Sequence, residues 1–169
     1  MARETIDVGV VVEKRRLNSL WADHAWMPVA VLPGAPGAIP WTVLDERPEA
    51  TRFFMGTHQL EFFSSDTGTY RDNLHSGRPS LWVALAPADT EQGIALQSVT
   101  ADPAEGESFT ESGVYTVETV PMPPEIEARL AAFVAAHHVE RVFIKRKRDR
   151  ANPEALAMRP GSGTPEERK

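Results

Sequence analysis

Prolines and glycines divide this chain into short segments, and this punctuation limits the folds that it can adopt. The 169 residues include 14 prolines and 11 glycines, spread over most of the length. Proline removes a backbone donor and glycine admits turn conformations, so both interrupt regular structure. Most of the intervening segments alternate apolar and polar residues or are rich in β-branched and aromatic side chains, which is typical of strands. The strand-like segments are 6–12, 27–32, 40–44, 51–63, 79–85, 94–100 and 114–119.

Two of these segments carry more specific expectations. Residues 6–12 place Ile6, Val8 and further valines at every second position, which predicts a strand with one buried face. Residues 51–63 allow two interpretations, because Gly56 lies between two groups of apolar residues. Gly56 either supplies the turn of a hairpin or forms a bulge within one longer strand.

One segment has a strong helical periodicity. Pro124 suits a first helical turn, and the apolar residues that follow recur at helical spacing over 124–137. Asp102 and Pro103 predict the start of a shorter helix, and Asp66 is a candidate cap for a helical turn that carries Tyr70. We therefore predict an α+β fold that is mainly antiparallel, either a curved sheet or a partly open β-barrel. One strong C-terminal amphipathic helix would cover an open side.

The length and composition indicate one domain over residues 1–150. Residues 151–169 are rich in proline, glycine and charge, which predicts a disordered C-terminal tail. The chain has no cysteine, so disulfides and thiolate metal sites are excluded. The N-terminus lacks a signal-peptide pattern, and no apolar run approaches the roughly 20 residues of a membrane helix. These features predict a cytoplasmic protein without membrane contact.

The charge is distributed unevenly along the chain. Residues 1–140 contain 9 basic and 20 acidic residues, whereas 141–150, here called the basic segment, contain 6 basic and 1 acidic. Such a cluster can bind an acidic protein surface, fold back on its own acidic domain, or only aid solubility. The acidic body disfavours nucleic acid as a partner, because it would repel the phosphate backbone. The candidate partner-binding residues are Lys145, Arg146, Lys147, Arg148 and Arg150.

A second candidate site lies near the N-terminus, where Trp21 and Trp26 flank Asp23 and His24. A carboxylate can orient a histidine and raise its basicity, and two indoles would lower the local dielectric constant. These four residues could therefore line a pocket. The alternative is that the tryptophans pack in the core and the polar pair forms a turn.

The remaining motifs favour a protein that is not an enzyme. The five histidines lack metal-binding spacing, so the sequence predicts no metal site and no cofactor. His137 and His138 are adjacent at the end of the predicted helix, where the helix dipole favours histidine. The sequence has no nucleophile elbow and no phosphate-binding loop.

Several blocks together resemble a proteobacterial family of uncharacterised proteins. The blocks are residues 8–15 (VGVVVEKR), 26–34 (WMPVAVLPG), 41–44 (WTVL), 120–123 (VPMP) and 135–150. The resemblance implies an accessory context, since such genes often lie beside those for molybdenum-dependent formate dehydrogenase and its maturation. It assigns no residue roles.

Two functions follow from these observations. The first is a non-catalytic accessory or interaction protein, supporting a molybdoenzyme such as formate dehydrogenase, whose basic segment binds an acidic partner. The alternative is a small-molecule-binding or catalytic module with a pocket around Trp21, Asp23, His24 and Trp26. The sequence leaves the partner and the oligomeric state open.

Overall fold

Four antiparallel strands form the first sheet of the computed structural model, in the order β2-β1-β4-β3. The structure describes residues 1–34 and 36–140, and residues 1–139 form one unit. The basic segment and the predicted tail, residues 141–169, therefore lie outside the described residues. The strands are β1 (Arg3–Arg16), β2 (His24–Pro33), β3 (Thr42–Glu46) and β4 (Ala50–Phe63).

Three further strands form a second antiparallel sheet. They are β5 (Ser80–Pro87), β6 (Ile94–Thr100) and β7 (Thr116–Pro121), in the order β6-β5-β7. Strand β2 lies beside β7, and β4 lies beside β6, but no ladder joins the two sheets. The predicted α+β class with antiparallel strands is confirmed. The strands are divided between two sheets, and these do not close into a barrel.

Three helices complete the described part of the chain: α1 (Thr67–Leu74), α2 (Pro103–Glu111) and α3 (Pro124–His137). The predicted helix over 124–137 is confirmed as α3. In α2 the Asp102 carboxylate accepts a hydrogen bond from the Ala104 N–H at 2.9 Å, as a cap should. Helix α1 also forms, but Asp66 makes no side-chain cap bond, because a 3₁₀ turn over Ser64–Asp66 leads directly into it.

Strand β1 is buried on both faces along its middle, which differs from the single buried face predicted. Val8, Val10 and Val12 pack in the core, while Val11 and Glu13 on the other face are also buried. The second face is covered at Gly9 by the Phe54 ring and by Pro36 from the segment before β3. A Cβ atom on Gly9 would lie 2.8 Å from the Phe54 ring and 3.2 Å from Pro36.

The bulge interpretation of residues 51–63 is confirmed, and the hairpin interpretation is wrong. In the β1–β4 ladder Val10 pairs with Gly56 and Val11 pairs with Phe54, which leaves Met55 as the extra residue. Gly56 has a φ of 141°, a conformation that favours glycine. Pro28 lies in a strand at the edge of its hydrogen-bonded sheet, as the missing donor requires, beside a similar irregularity between β1 and β2.

The core lies between the two sheets and α3. Strand β5 contributes Leu81, Val83 and Leu85, which face the β1 valines in one buried cluster. Helix α3 adds its apolar stripe to the same cluster, which explains why its periodicity is so clear in the sequence. The α3 residues in the cluster are Ile126, Leu130, Phe133 and Val134.

Candidate functional site

The loop between β1 and β2, residues 17–23, presents two large apolar side chains to solvent. We call it the Trp21 loop. Its base is closed by a hydrogen bond from the Leu17 N–H to the Asp23 carbonyl at 2.9 Å. At its tip the Trp21 N–H donates to the Ser19 hydroxyl at 3.2 Å. Leu20 is 99% exposed and Trp21 is 94% exposed, so neither side chain contributes to the core.

Other apolar side chains are exposed at the end of the first sheet that carries the Trp21 loop. The Arg16 N–H donates to the Glu49 carbonyl at 2.8 Å, which ties the base of the loop to the turn between β3 and β4. Strand β3 is the outermost strand on this side, and its Val43 and Leu44 are each about half exposed. Leu20, Trp21, Val43 and Leu44 are therefore the candidate contact residues at this end of the sheet.

Asp23 and His24 line a hollow of about 320 Å³ at the base of the Trp21 loop, here called the Asp23 hollow. Its walls carry both charge signs, since the lining includes the basic residues Lys14, Arg16 and Arg47 and the acidic residues Asp23 and Glu49. Among the described residues no hydrogen bond joins Asp23 to His24. Trp21 does not line this hollow, and Trp26 does not line it either. The structure therefore brings together only part of the predicted group of four.

Trp26 lies on the core face of β2 and belongs to an aromatic cluster. Its ring centroid is 5.5 Å from that of Trp41 and 5.6 Å from that of Phe53. The Lys14 ammonium lies 5.5 Å from the same indole, in a cation–π contact, and the His24 ring packs edge-on at 6.1 Å. Trp26 thus packs against the core, as the alternative to the pocket predicts. Its indole N–H is buried without a hydrogen-bond partner among the described residues.

Trp41 adopts a backbone conformation that is rare for a residue with a side chain. Its φ is 71°, which for a bulky residue costs on the order of 1–3 kcal/mol. The Trp41 N–H donates to the Phe54 carbonyl at 2.6 Å, and its ring packs on Trp26 and Phe53. These contacts hold the strained residue in place, and the aromatic cluster of Trp26, Trp41 and Phe53 is therefore rigid.

A buried carboxylate lies on the opposite face of β1. The Glu13 side chain is only 8% exposed and lies 2.7 Å from the Arg15 guanidinium and 3.6 Å from that of Arg52. Two cations offset the cost of burying the charge. No group of three or more histidine, aspartate or glutamate side chains suited to a metal ion occurs within residues 1–34 and 36–140.

The histidines at the end of α3 have structural contacts. His137 packs on Phe133 with ring centroids 4.6 Å apart. The His138 Nδ1 atom is hydrogen-bonded to the Thr67 hydroxyl at 3.1 Å, and its Nε2 atom lies 3.5 Å from the Arg71 guanidinium. Elsewhere, burial lowers the pKa of His58. The contacts of His138 hold the end of α3 against α1.

The His138 contacts and the Trp21 loop lie at opposite ends of β1. The Ser64 N–H donates to the Ala2 carbonyl at 3.0 Å, so the start of β1 lies beside the start of α1, where Thr67 binds His138. The Trp21 loop follows Arg16 at the other end of the strand. A strand of this length spans about 40 Å, at about 3.3 Å per residue. The predicted partner-binding residues Lys145, Arg146, Lys147, Arg148 and Arg150 lie outside the described residues.

A larger hollow, of about 580 Å³, lies between the end of α1, the start of β5 and the start of α2. We call it the Trp82 hollow. Trp82 and Pro103 form apolar walls, and Asp72 and Arg78 lie at the rim. This site was not predicted, because Trp82 has the pattern of an ordinary strand residue and only the fold brings Pro103 to the segment 72–82. The sequence carries no signal that would have revealed it.

Comparison with known protein families supports the resemblance seen in the sequence blocks. Residues 7–148 match the family described as "Protein of unknown function (DUF3305)". Comparisons with the curated proteins and with the solved structures return no match. No helix in the described part of the chain is long and apolar enough to cross a membrane. The family match spans well over half of the sequence, and the chain therefore belongs to the DUF3305 family of proteins of unknown function.

Proposed function

We propose that this protein is a non-catalytic cytoplasmic accessory factor that docks on an acidic protein partner. The observation that carries the proposal is the exposure of Leu20 and Trp21 at the tip of a loop whose backbone is closed by hydrogen bonds. Tryptophan is strongly enriched among the residues that dominate protein interfaces. Its side chain buries about 150–250 Å² when it enters a pocket, at a low cost in conformational entropy.

The charges beside the Trp21 loop indicate the character of the partner surface. Lys14, Arg15 and Arg16 lead directly into the loop, and Arg15 is held by Glu13. Arg16 is exposed, and no side-chain ion pair ties it to another described residue. An apolar pocket with acidic residues at its rim would therefore complement Trp21 and Arg16 together.

The basic segment would supply a second contact of the same sign. Its five candidate residues, Lys145, Arg146, Lys147, Arg148 and Arg150, would bind carboxylates and accelerate association by electrostatic attraction. The partner would then be bound both by the Trp21 loop and by the basic segment.

The class of partner that we propose is a molybdoenzyme, such as formate dehydrogenase, or one of the maturation factors of such an enzyme. This part of the proposal is supported by the family resemblance and by the accessory context that the resemblance implies.

Affinity capture from formate-grown cells of the native host tests the proposal. Wild-type protein should retrieve an oxidoreductase or a maturation protein, identified by mass spectrometry. Trp21→Ala should weaken the purified complex at least about 30-fold, the equivalent of about 2 kcal/mol for an interface hot spot. Val114→Ala is a matched control, because Val114 is 60% exposed between α2 and β7, outside the proposed surface.

A second variant tests the basic segment separately. Replacement of its five candidate residues by glutamine should slow association and reduce the salt dependence of binding. Capture of no oxidoreductase or maturation protein by wild-type protein would overturn the proposed partner class. Equal binding by wild-type protein and Trp21→Ala would remove the Trp21 loop from the interface.

A further inference from the structure

We infer that the Trp82 hollow binds a small heteroaromatic anion, through stacking on Trp82 and ion pairing with Arg78. This site is separate from the proposed docking surface, which lies at the Trp21 loop. The volume of about 580 Å³ falls within the range of about 300–1,000 Å³ that small-molecule sites occupy.

The aromatic wall is held in a fixed position. Trp82 lies on the face of β5 that meets α2, and Gly106 of α2 packs directly on its side chain. A Cβ atom at Gly106 would lie only 2.2 Å from the Trp82 Cγ atom. Trp82 therefore cannot rotate toward α2, and its accessible part faces the hollow that it lines. A ligand ring that stacks there orders no flexible wall, so less affinity is lost to entropy.

The floor of the hollow is rigid because its amide is fully engaged. The Asn73 Nδ2 atom donates to the Ser80 carbonyl at 2.8 Å and to the Ala101 carbonyl at 2.9 Å. Its Oδ1 atom accepts from the Ser80 N–H at 3.0 Å. Asn73 thus fixes the end of α1 against the start of β5, and it leaves ligand recognition to other groups.

The rim provides groups that are not used within the fold. Among the described residues, the Arg78 guanidinium and the Asp72 carboxylate have no ion pair or side-chain hydrogen bond. The Trp82 indole N–H likewise has no partner there, and it is not among the buried unsatisfied atoms. Arg78 presents donors in a planar fork that matches a carboxylate or a phosphate. Asp72 accepts hydrogen bonds from a ring N–H or an amino group.

These three groups together define the ligand. The Trp82 indole requires a flat ring on which to stack. The Arg78 guanidinium requires an anionic group, and the Asp72 carboxylate requires a nitrogen donor on the ring. A heteroaromatic ring that carries a phosphate or a carboxylate meets all three requirements. Stacking of a base on an aromatic side chain and pairing of an anion with arginine are both general sources of affinity, so removal of either the ring or the anion should weaken binding.

Nuclear magnetic resonance with defined probes tests this inference on the full chain. Adenosine 5′-monophosphate should shift the indole N–H resonance of Trp82, which is identified by its loss in Trp82→Phe. Adenosine lacks the anion and ribose 5-phosphate lacks the ring, so each should bind at least about 5-fold more weakly, as loss of about 1 kcal/mol implies. Indole-3-acetate distinguishes a carboxylate from a phosphate as the preferred anion.

Arg78→Gln should weaken binding of the monophosphate about 5-fold or more and leave adenosine unaffected. Arg47→Gln is the matched control, because Arg47 is an exposed arginine of the Asp23 hollow. The inference is overturned if neither the monophosphate nor indole-3-acetate shifts the Trp82 resonance at millimolar concentration. It is also overturned if ribose 5-phosphate binds as well as the nucleotide, or if Arg78→Gln binds as well as wild-type protein.

Discussion

Gly106 shows how one missing Cβ atom determines the packing between α2 and the second sheet. The Trp82 side chain occupies the space where a side chain at position 106 would begin. Glycine normally weakens a helix interior by about 1 kcal/mol relative to alanine. At this position the close helix–strand contact outweighs that cost.

Replacement of Gly106 by alanine should therefore destabilise the protein. We expect the free energy of unfolding, measured by urea denaturation, to fall by about 1–3 kcal/mol, since Trp82 or α2 must move. Gly68→Ala is the control, because a Cβ atom at Gly68 in α1 has nothing within 4 Å. That variant should be as stable as wild-type protein or slightly more stable. Equal effects of the two substitutions would contradict the packing argument.

Asn73 is a buried polar residue whose three hydrogen bonds join α1 to β5 and to Ala101. Asn73→Ala leaves a backbone N–H and two carbonyls of the interior without their partner. We expect the free energy of unfolding to fall by about 2–4 kcal/mol. Asn18→Ala in the exposed Trp21 loop should change it by less than about 0.5 kcal/mol. A neutral Asn73→Ala variant would show that water replaces the amide.

At the scale of elements, β1 is one of the strands whose backbone is paired on both sides. It pairs with β2 on one side and with β4 on the other, whereas β3 pairs on one side only. The amides in the middle of β1 should exchange with solvent only when the whole protein unfolds. Those on the free edge of β3 should exchange at least about 100-fold faster, because they open locally. Hydrogen exchange followed by mass spectrometry measures both, and comparable rates in β1 and β3 would contradict the sheet order.

The elements that sequence predicts best are those whose pattern reports burial directly. Helix α3 has a continuous apolar stripe, so its period was readable without knowledge of its neighbours. Residues 51–63 were ambiguous because the positive φ of Gly56 serves equally in a turn or in a bulge. The ladder with β1 decides between them, and such long-range pairing is not encoded in local pattern. Trp21 is exposed whereas Trp26 is packed, although both are tryptophans. Their surroundings likewise depend on long-range contacts that the local pattern does not encode.

For the whole molecule, burial of Tyr70 links stability to alkaline pH. Tyr70 is almost fully buried, its hydroxyl accepts a hydrogen bond from the Phe63 N–H, and burial raises its pKa to about 12. An unfolded tyrosine ionises near pH 10, so the unfolded state loses its proton first. The free energy of unfolding should therefore fall as the pH rises from 10 to 12.

Tyr70→Phe tests this linkage. Its loss of the Phe63 hydrogen bond should lower stability by a constant amount at all pH values, while the decline between pH 10 and 12 that Tyr70 causes should disappear. Urea unfolding across that range separates the two effects. An unchanged slope in the variant would assign the alkaline loss of stability to other groups.

The candidate sites were predictable only where a run of residues carries them. The basic segment is visible as a run of charge, and Asp23 with His24 as a polar pair between tryptophans. The Trp82 hollow was not visible, since Asp72 and Pro103 are brought together only by the packing of α1 and α2 on the second sheet. The tip position of Trp21 likewise depends on which backbone groups close the loop.

The presence of two candidate contacts, the Trp21 loop and the basic segment, has a consequence for the strength of binding. If both contact one partner, docking of the first raises the local concentration of the second. Two weak contacts would combine into one tight complex, and a partner that presents only one of the two complementary surfaces would dissociate quickly.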